Sequence, residues 1–409
     1  MIAEQTLLEI YLATLERAAP QRLISERLMQ NDLSALRQVE VDLVAIGKCA
    51  AGLAEGAMSI LNVRRSIVVV PSGYSREVFA QRGEDVEVVE GSHPEISEES
   101  YRAGDRLCEF VARASRPIVF VVSGGSSACV ERPLHPWFDE NDLAVANRTL
   151  IRSGLAIASI NLVRRRLSAI KGGRLGALAP RGSLTLVFSD VSRGRLEDVG
   201  SGPTLPDSGT KENAAAILES LGDESCAKLA KRLRRIPEET PLSNASTAYL
   251  IADNSTLREI ASDEAGMRGL DVVACDDDVE GTADDLAPWL AERAGALRPD
   301  SILVAGGEPT VIVRGGGTGG RCSELAVRFA VDCNAAGLAC VALFASSDGL
   351  DGNSGAAGIL LATSFIEPSA VARALATSDT FPLAAEAGTA VYTGATGNNL
   401  RDLYLVARN

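Results

Sequence analysis

The 409-residue sequence has very little histidine, few aromatic side chains and no excess of basic charge. Lys and Arg total 40 against 54 Asp and Glu, so the net charge is −14. Nucleic acid-binding surfaces need clustered cations interleaved with stacking rings, and this composition therefore argues against a nucleic acid partner. The only two histidines are His93 and His135, which excludes a histidine-rich metal site.

The sequence also lacks a long hydrophobic run, a leader-like start and paired cysteine motifs. Its longest apolar run lies within residues 337–345, whereas a membrane-crossing helix needs about 20 residues. Residues 1–20 contain acidic groups where a secretory signal begins with basic ones. The eight cysteines include no Cys-x-x-Cys pair, which indicates neither a zinc site nor a disulfide framework. We therefore expect a cytoplasmic protein without a membrane partner.

Short apolar runs alternate with helical patterns along the chain. Runs such as 41–46 and 118–122 are apolar on both faces, which is typical of a parallel sheet covered by helices on two sides. The alternation resumes after a linker candidate at 236–241, where two prolines bracket polar residues. We predict an α/β protein with a Rossmann-like, largely parallel first domain over residues 1–240 and a smaller mixed α/β domain over 241–409. Whether a segment of one domain completes the sheet of the other stays open.

Glycines and polar groups cluster directly after several predicted strands, where ligands bind in open α/β sheets. Lys48 follows the first such strand and can supply a mobile positive charge to a phosphate or carboxylate, although a solvated helix-start lysine explains it equally well. A second loop offers backbone N–H groups and hydroxyls as an anion cradle, with a tight turn as the alternative. Its residues are Ser123, Gly124, Gly125, Ser126 and Ser127.

Two further clusters of the first domain carry cations and an acid. Arg164, Lys171 and Arg174 belong to a basic stretch that would ordinarily be a solvated face, but in so acidic a chain they favour an anionic ligand. Asp190 comes directly after a buried strand, which suits magnesium binding or contact with a substrate hydroxyl. A helix cap is the structural alternative for Asp190.

In the second domain, Glu308 precedes a glycine-rich loop that ends in Gly319, Gly320 and Arg321. Residues 315–320 satisfy the dinucleotide fingerprint G-x-G-x-x-G, but the match is weak because five of the six are glycine. The segments before it, 302–305 and 310–313, predict a β-ribbon, which does not usually precede a Rossmann fingerprint. A glycine loop beside an arginine at a helix start favours a polyphosphate.

The last cluster, after the apolar run that ends at residue 345, holds Asp348 and Asp351, and an ordinary turn explains these two acids as well. The chain is thus rich in Gly, Lys, Arg and Asp at strand ends and poor in histidine. In phosphoryl transfer, positioning and charge neutralisation do most of the catalysis, and these residue types supply both.

A series of short segments spread over residues 40–405 closely resembles the class II glycerate 2-kinases, a two-domain family that ends in a MOFRL domain. The segments are Ile46 to Lys48, Ser92-His93-Pro94, Ser123 to Ser127, Asn161 to Arg164, Lys171 to Arg174, Ser189-Asp190-Val191, Ser201 to Thr204, Gly306 to Glu308, Gly319 to Arg321, Ser347 to Gly352 and Thr393 to Gly397.

The resemblance implies an ATP- and magnesium-dependent kinase that phosphorylates the 2-hydroxyl of D-glycerate, with its site in the cleft between the domains. It assigns catalytic roles to Lys48 and Arg321, to which we add Asp190. The expected ligands are a small hydroxy acid and the nucleotide, and association into a homodimer is left open. Substrate or phosphate contacts are expected at Ser123 to Ser127, Arg164, Lys171, Arg174, Glu308, Gly319 and Gly320, and metal contacts at Asp190, Asp348 and Asp351.

The sequence departs from that family at several site positions. After Asp190, Arg193 stands where the family has a glycine and Arg195 where it has an acid. After Arg321, Cys322 and Ser323 replace Asn and Gln, and Gly355 replaces an Asp. The acceptor therefore stays open, and three alternatives remain: a kinase for another hydroxy acid or polyol, a nicotinamide-dependent oxidoreductase of the hydroxypyruvate reductase type, and a non-catalytic ligand binder.

Overall fold

The computed structural model describes residues 2–74, 85–191, 195–237, 243–275, 278–363, 368–387 and 389–408. The chain divides into two compact units. The first unit is Pro20–Ile251, and the second unit joins Met1–Ala19 to Ala252–Asn409.

The helices of the described residues are α1 (Glu4–Arg17), α2 (Pro20–Met29), α3 (Ala50–Ile60), α4 (Glu98–Ala112), α5 (Ser126–Cys129), α6 (Glu140–Arg152), α7 (Ile157–Leu167), α8 (Arg174–Leu178), α9 (Lys211–Ser220), α10 (Glu224–Leu233), α11 (Asn254–Met267), α12 (Ala283–Ala296), α13 (Arg321–Ala335), α14 (Pro368–Thr377) and α15 (Phe381–Ala387). The strands are β1 (Glu40–Ile46), β2 (Asn62–Pro71), β3 (Val86–Gly91), β4 (Ile118–Ser123), β5 (Leu184–Phe188), β6 (Ala248–Ala252), β7 (Asp271–Ala274), β8 (Ser301–Gly307), β9 (Cys340–Ser346), β10 (Gly358–Ala362), β11 (Ala390–Val391) and β12 (Asp402–Arg408).

The first sheet has the strand order β3-β2-β1-β4-β5-β6. The pairs β3–β2, β2–β1, β1–β4 and β4–β5 are all parallel. Every residue of β4 is buried, as expected of a strand with helices on both faces. The carboxyl ends of β1, β3, β4 and β5 therefore lie along one edge, and the predicted α/β architecture of this unit is confirmed.

The second sheet has the order β11-β10-β9-β12-β8-β7 and is mixed. The strand β12 lies between β8 and β9 and runs antiparallel to both, whereas β7 and β8 are parallel. Phe344 of β9 lies between Phe329 and Tyr404, with ring centroids 5.3 Å and 5.4 Å away. This aromatic row anchors α13 to the sheet and so fixes the helix that begins at Arg321.

The two units differ from the predicted division near residue 240. Helix α1 packs within the second unit, where the Tyr11 hydroxyl donates to the carbonyl of Ser346 at 2.7 Å and Arg17 pairs with Glu264 at 2.9 Å. Local sequence patterns cannot reveal this association, because Tyr11 and Ser346 are 335 positions apart.

The predicted β-ribbon of 302–305 with 310–313 is wrong. Residues 301–307 form β8, but 311–314 have no regular structure, and Thr310 makes only an isolated bridge with Thr282. Ile312 and Val313 are 63% and 71% exposed, so their apolar pattern does not mark a buried strand face. None of the described helices is both long and apolar enough to span a membrane.

Candidate active site

Lys48 lies in a turn at the carboxyl end of β1 that is closed onto the end of β4. Gly47 has φ +118°, a conformation that favours glycine, and a Cβ there would lie 2.4 Å from Ser123 Oγ. The Lys48 backbone N–H donates to the carbonyl of Gly124 at 2.9 Å. The Ser123 hydroxyl accepts from a backbone N–H of the same turn and donates to a β1 carbonyl, both at 3.2 Å. Ser123 is thus a buried link between the two strand ends, and its hydroxyl is engaged within the protein.

Gly125 brings Lys48 next to His93. A Cβ at Gly125 would lie 2.9 Å from Lys48 Cγ and 3.3 Å from His93 Cδ2. Burial by surrounding atoms, together with the nearby Lys48 ammonium, lowers the pKa of His93 to about 4. His93 is therefore neutral at pH 7. His93 lies in a Ser-His-Pro segment just after β3, a strand whose alternating, partly exposed residues give too little apolar pattern to be predicted from the sequence.

A chain of side-chain hydrogen bonds joins the loop after β4 to a later turn. The Ser201 hydroxyl donates to Asn161 Oδ1 at 3.0 Å, and Ser127 Oγ lies 2.9 Å from Ser201 Oγ. Because Ser201 has one hydroxyl proton, Ser127 is the donor to Ser201. The neighbouring Ser126 hydroxyl is buried and has no hydrogen-bond partner in the part of the chain described. A Cβ at Gly200 would lie 1.9 Å from that hydroxyl, so glycine makes the close approach possible.

Lys171 is only 1% exposed, and its ammonium forms an ion pair with the equally buried Glu131. The Ser168 hydroxyl donates to the same carboxylate. Burial lowers the pKa of Lys171, and the carboxylate acts against that effect. A ligand has no access to this ammonium, so we assign Lys171 a structural role in place of the predicted substrate contact.

Arg164 and Arg174 have no carboxylate in an ion pair with them among the residues described. Arg164 donates from Nε to Asn147 Oδ1 at 2.7 Å, and Arg174 donates from Nη1 to the carbonyl of Arg165 at 2.5 Å. Burial lowers the pKa of Arg164, and burial together with a neighbouring arginine lowers that of Arg174 to about 10. Both guanidinium groups are therefore suited to an anion.

The neighbouring arginines of the same stretch are paired within the protein. Arg165 contacts Asp198 at 2.5 Å and Asp207 at 3.3 Å, and Arg166 contacts Asp207 at 2.6 Å. Arg195 also pairs with Asp198, at 2.5 Å. These residues hold loops together.

Asp190 lies two residues beyond β5, half-buried, at the sheet edge that also carries Lys48. Arg193 and Gly194 lie outside the described residues. Asp190 therefore follows a buried strand as predicted, and its role stays a prediction.

In the second unit, Arg321 opens α13 and makes a bidentate ion pair with Asp402. Its Nε and Nη2 each lie 2.7 Å from a carboxylate oxygen of Asp402, which is fully buried at the start of β12. Its Nη1 lies 3.4 Å from Glu308. Burial alone would lower the pKa of Arg321, but the Asp402 carboxylate outweighs burial and raises it. No local sequence motif marks Asp402, because its partner lies 81 positions away along the chain.

Glu308 lies between two arginines, since Arg401 Nε is 3.5 Å from its other carboxylate oxygen. Arg401 is held in turn by Asp278, at 3.0 Å. Glu308, Arg321 and Arg401 line a cavity of about 660 Å³, whose lining also includes Gly319, Gly320, Asn353 and Thr380. The predicted residues Glu308, Gly319, Gly320 and Arg321 are thus brought together.

The backbone N–H groups of the glycine loop are largely occupied. Thr318 donates to Asp379, Gly319 to Asn353 Oδ1 and Gly320 to Ser323 Oγ, each at 2.8 Å. A ligand in the cavity would therefore contact mainly side chains, because these backbone N–H groups are already bonded within the protein. This arrangement is unlike the open phosphate loop that the dinucleotide fingerprint over 315–320 would require.

Asp351 caps α13. Its two carboxylate oxygens accept the backbone N–H groups of Cys322 at 2.8 Å and Ser323 at 2.9 Å, and burial raises its pKa. A Cβ at Gly320 would lie 2.2 Å from Asp351 Oδ1, which explains the glycine there. These contacts fit a helix cap better than the predicted metal ligand.

Asp348 Oδ1 accepts from the Ser346 hydroxyl at 2.8 Å and from the backbone N–H of Leu350 at 2.9 Å. Across the described ranges, no three His, Cys, Asp or Glu side chains are grouped as a metal site.

Comparison with known proteins identifies the family. A family described as a domain of unknown function, DUF4147, matches residues 6–236, and the MOFRL family matches 301–402. A D-glycerate 2-kinase from Thermotoga maritima is 31% identical, over 97% of this chain and 96% of its own length. A protein from Agrobacterium vitis, provisionally named hydroxypyruvate reductase, is 30% identical over 98% and 93%.

A crystal structure of glycerate kinase from Thermotoga maritima superposes with a TM-score of 0.85 at 29% identity, covering 99% of both chains. The fold that carries Lys48 and Arg321 is thus similar to that of glycerate kinase over 99% of the chain. The protein belongs to the glycerate 2-kinase family and is a phosphotransferase.

Proposed function

We propose that the protein transfers the terminal phosphoryl group of ATP, in the presence of Mg²⁺, to the 2-hydroxyl of D-glycerate and so forms 2-phosphoglycerate. The names of the relatives support glycerate as the acceptor. The observation on this chain that carries the proposal is that the largely buried guanidinium groups of Arg164 and Arg174 each lack a carboxylate at ion-pair distance among the described residues. A planar guanidinium matches a carboxylate in shape and charge.

A bound carboxylate would offset the cost of burying these two cations. The pKa of each arginine is lowered because burial disfavours the charged form. An anion beside them favours that form again. An acceptor with a carboxylate therefore gains more from contact with either guanidinium group than a neutral polyol of the same size.

Lys48 and Arg321 are suited to the phosphate groups. Phosphoryl transfer depends mainly on positioning and on neutralising charge that spreads over the phosphate oxygens. The Lys48 backbone is fixed by its bond to Gly124, and the Arg321 guanidinium is fixed by Asp402 while Nη1 remains on the cavity side with Glu308. Asp190 would accept the proton of the 2-hydroxyl.

Mg²⁺ is usually held by one or two carboxylates together with substrate phosphates, so a preformed protein cage is not required. We assign it to Asp348 of the second unit, because both oxygens of Asp351 are engaged by backbone N–H groups and Asp190 is assigned to the proton. When bound with the nucleotide, the ion neutralises phosphate charge.

The oxidoreductase alternative has less support. In the loop that matches the dinucleotide fingerprint, the backbone N–H groups of Thr318, Gly319 and Gly320 donate to acceptors within the protein. Because of the name of the Agrobacterium vitis relative, one control tests this alternative. The protein is supplied with hydroxypyruvate and a reduced nicotinamide cofactor, and the absorbance of the cofactor is followed. A non-catalytic binder would show thermal stabilisation by ligand without turnover.

The test compares D-glycerate with glycerol, which lacks the carboxylate. We expect Arg164→Ala and Arg174→Ala each to lower kcat/KM for D-glycerate by about 10-fold to 100-fold, since a charge-assisted hydrogen bond contributes about 1.5–3 kcal/mol. The weak rate with glycerol should hardly change. Arg113, which is 69% exposed and pairs with Glu109, provides the control variant Arg113→Ala. If kcat/KM fell equally for D-glycerate and glycerol, Arg164 and Arg174 would not bind the carboxylate of the acceptor.

A further inference from the structure

We propose that His93 is a further ligand-contacting residue, which donates a hydrogen bond from its neutral imidazole to the anionic group that Lys48 neutralises. The inference rests on the proposed function for the nature of that group, a phosphoryl or carboxylate oxygen. It assigns His93 the role of a donor and excludes that of a general base.

The geometry around Gly125 places the two side chains together. A Cβ at Gly125 would be 2.9 Å from Lys48 Cγ, 3.3 Å from His93 Cδ2 and 3.5 Å from His93 Nε2. Gly125 has φ +82°, so the position favours glycine on backbone grounds as well. The glycine thus leaves room for the Lys48 stem and the His93 ring to lie side by side, at the carboxyl edge where ligands bind in such sheets.

His93 is available for a ligand. The imidazole is surrounded by protein on part of its surface and accessible on the rest, and no hydrogen bond or ion pair from it to another described residue occurs, in contrast to the engaged hydroxyl of Ser123. One nitrogen of a neutral imidazole carries a proton and can donate. The ring therefore supplies a donor that no protein acceptor occupies within the described ranges.

His93 can lie close to the Lys48 ammonium because its imidazole is neutral at pH 7. Burial and the Lys48 ammonium lower the pKa of His93 to about 4, and Lys48 is the one charged group among the described residues that contributes to this shift. An imidazolium there would repel the ammonium. A base with so low a pKa is also poorly matched to accepting an alcohol proton near pH 7, so donation remains as the useful role.

An anion bound at this position would raise the pKa of His93, because it favours the charged ring. Ligand binding and His93 titration are therefore linked. With only two histidines in the chain, ring signals of the full-length protein labelled with [¹³C]histidine can be followed individually. His135 is exposed and also precedes a proline, so its signal is the internal control.

The decisive experiment titrates both histidine signals from pH 4 to 8 in the free protein and with inorganic phosphate, ADP with Mg²⁺, or D-glycerate. We expect the His93 signal to titrate near pH 4 when free and to shift with at least one of these probes, with its midpoint raised, while His135 is unchanged. No response of His93 to any probe, or an equal response of His135, overturns the proposal. Because phosphate and ADP are included, the result does not depend on turnover of D-glycerate.

Kinetics separates a donor from a base or a structural residue. We expect His93→Ala to lower kcat/KM by about 10-fold to 100-fold, consistent with the loss of one hydrogen bond to a charged group, and His93→Gln to recover most of it because the amide keeps a donor. The pH dependence of kcat/KM between pH 5.5 and 8 should be the same in wild type and His93→Gln, and His135→Ala should match wild type. Full activity of His93→Ala overturns the contact. Loss of an ionisation from the profile of His93→Gln shows a base and overturns the donor role.

Discussion

Arg321 and Asp402 form a bidentate ion pair in which both nitrogen–oxygen distances are 2.7 Å. Asp402 is fully buried, so removing its partner leaves an uncompensated carboxylate inside the second unit. Such a loss costs about 3–5 kcal/mol, and we expect Arg321→Ala to lower the free energy of unfolding by an amount of that order.

The double variant Arg321→Met with Asp402→Asn separates stability from activity. It removes both charges, so the free energy of unfolding measured in urea should recover by more than half relative to Arg321→Ala. Turnover should remain low, because the cation at the cavity is still absent. Recovery of turnover together with stability would show that Arg321 acts only through the fold.

Lys48→Ala should lower kcat by about 10² or more, because one preorganised donor to a developing charge contributes about 3–4 kcal/mol. The melting temperature should be nearly unchanged, since the fixed turn depends on backbone bonds of Gly47 and Lys48 rather than on the ammonium. Lys228→Ala is the matched control, because that side chain is 68% exposed and pairs with Glu224 on its own helix. A fully active Lys48→Ala protein would remove Lys48 from the site.

Asp351→Asn tests whether this acid caps α13 or binds metal. As a cap, its loss should lower the free energy of unfolding by about 0.5–2 kcal/mol and leave the Mg²⁺ concentration for half-maximal activity unchanged. Asp348→Asn should instead raise that Mg²⁺ concentration. If Asp351→Asn shifts the Mg²⁺ dependence as strongly as Asp348→Asn, the cap is not its main role.

The lowered pKa of His93 predicts how stability changes with pH. With a folded value of about 4 against an ordinary value of 6.5, the unfolded chain binds more protons between these two pH values, so the His93 contribution to stability falls as pH drops from 6.5 toward 4. The glutamine of His93→Gln does not titrate. The stability of this variant relative to wild type, measured in urea, should therefore rise between pH 7 and pH 5, and a constant difference would contradict the assigned shift.

The sequence predicts the first sheet well because its strands are buried on both faces and appear as continuous apolar runs, as in β4. It marks Lys48 and Arg321 as candidates because each adjoins a glycine turn or loop that follows a strand. It does not predict Asp402 or the buried Lys171–Glu131 pair, since their partners are 81 and 40 positions away along the chain. The sequence also predicts a strand over 310–313 that does not form, because Ile312 and Val313 are apolar residues exposed in a loop.

The most direct measurement incubates the wild-type protein with ATP, Mg²⁺ and D-glycerate, follows ADP release and identifies the phosphorylated product by ³¹P NMR. The proposed function predicts ADP and 2-phosphoglycerate in equal amounts, with no release when Mg²⁺ is chelated and almost none with glycerol. A product phosphorylated at the 3-hydroxyl, or absence of ADP release with D-glycerate while another hydroxy acid supports it, would contradict the assignment.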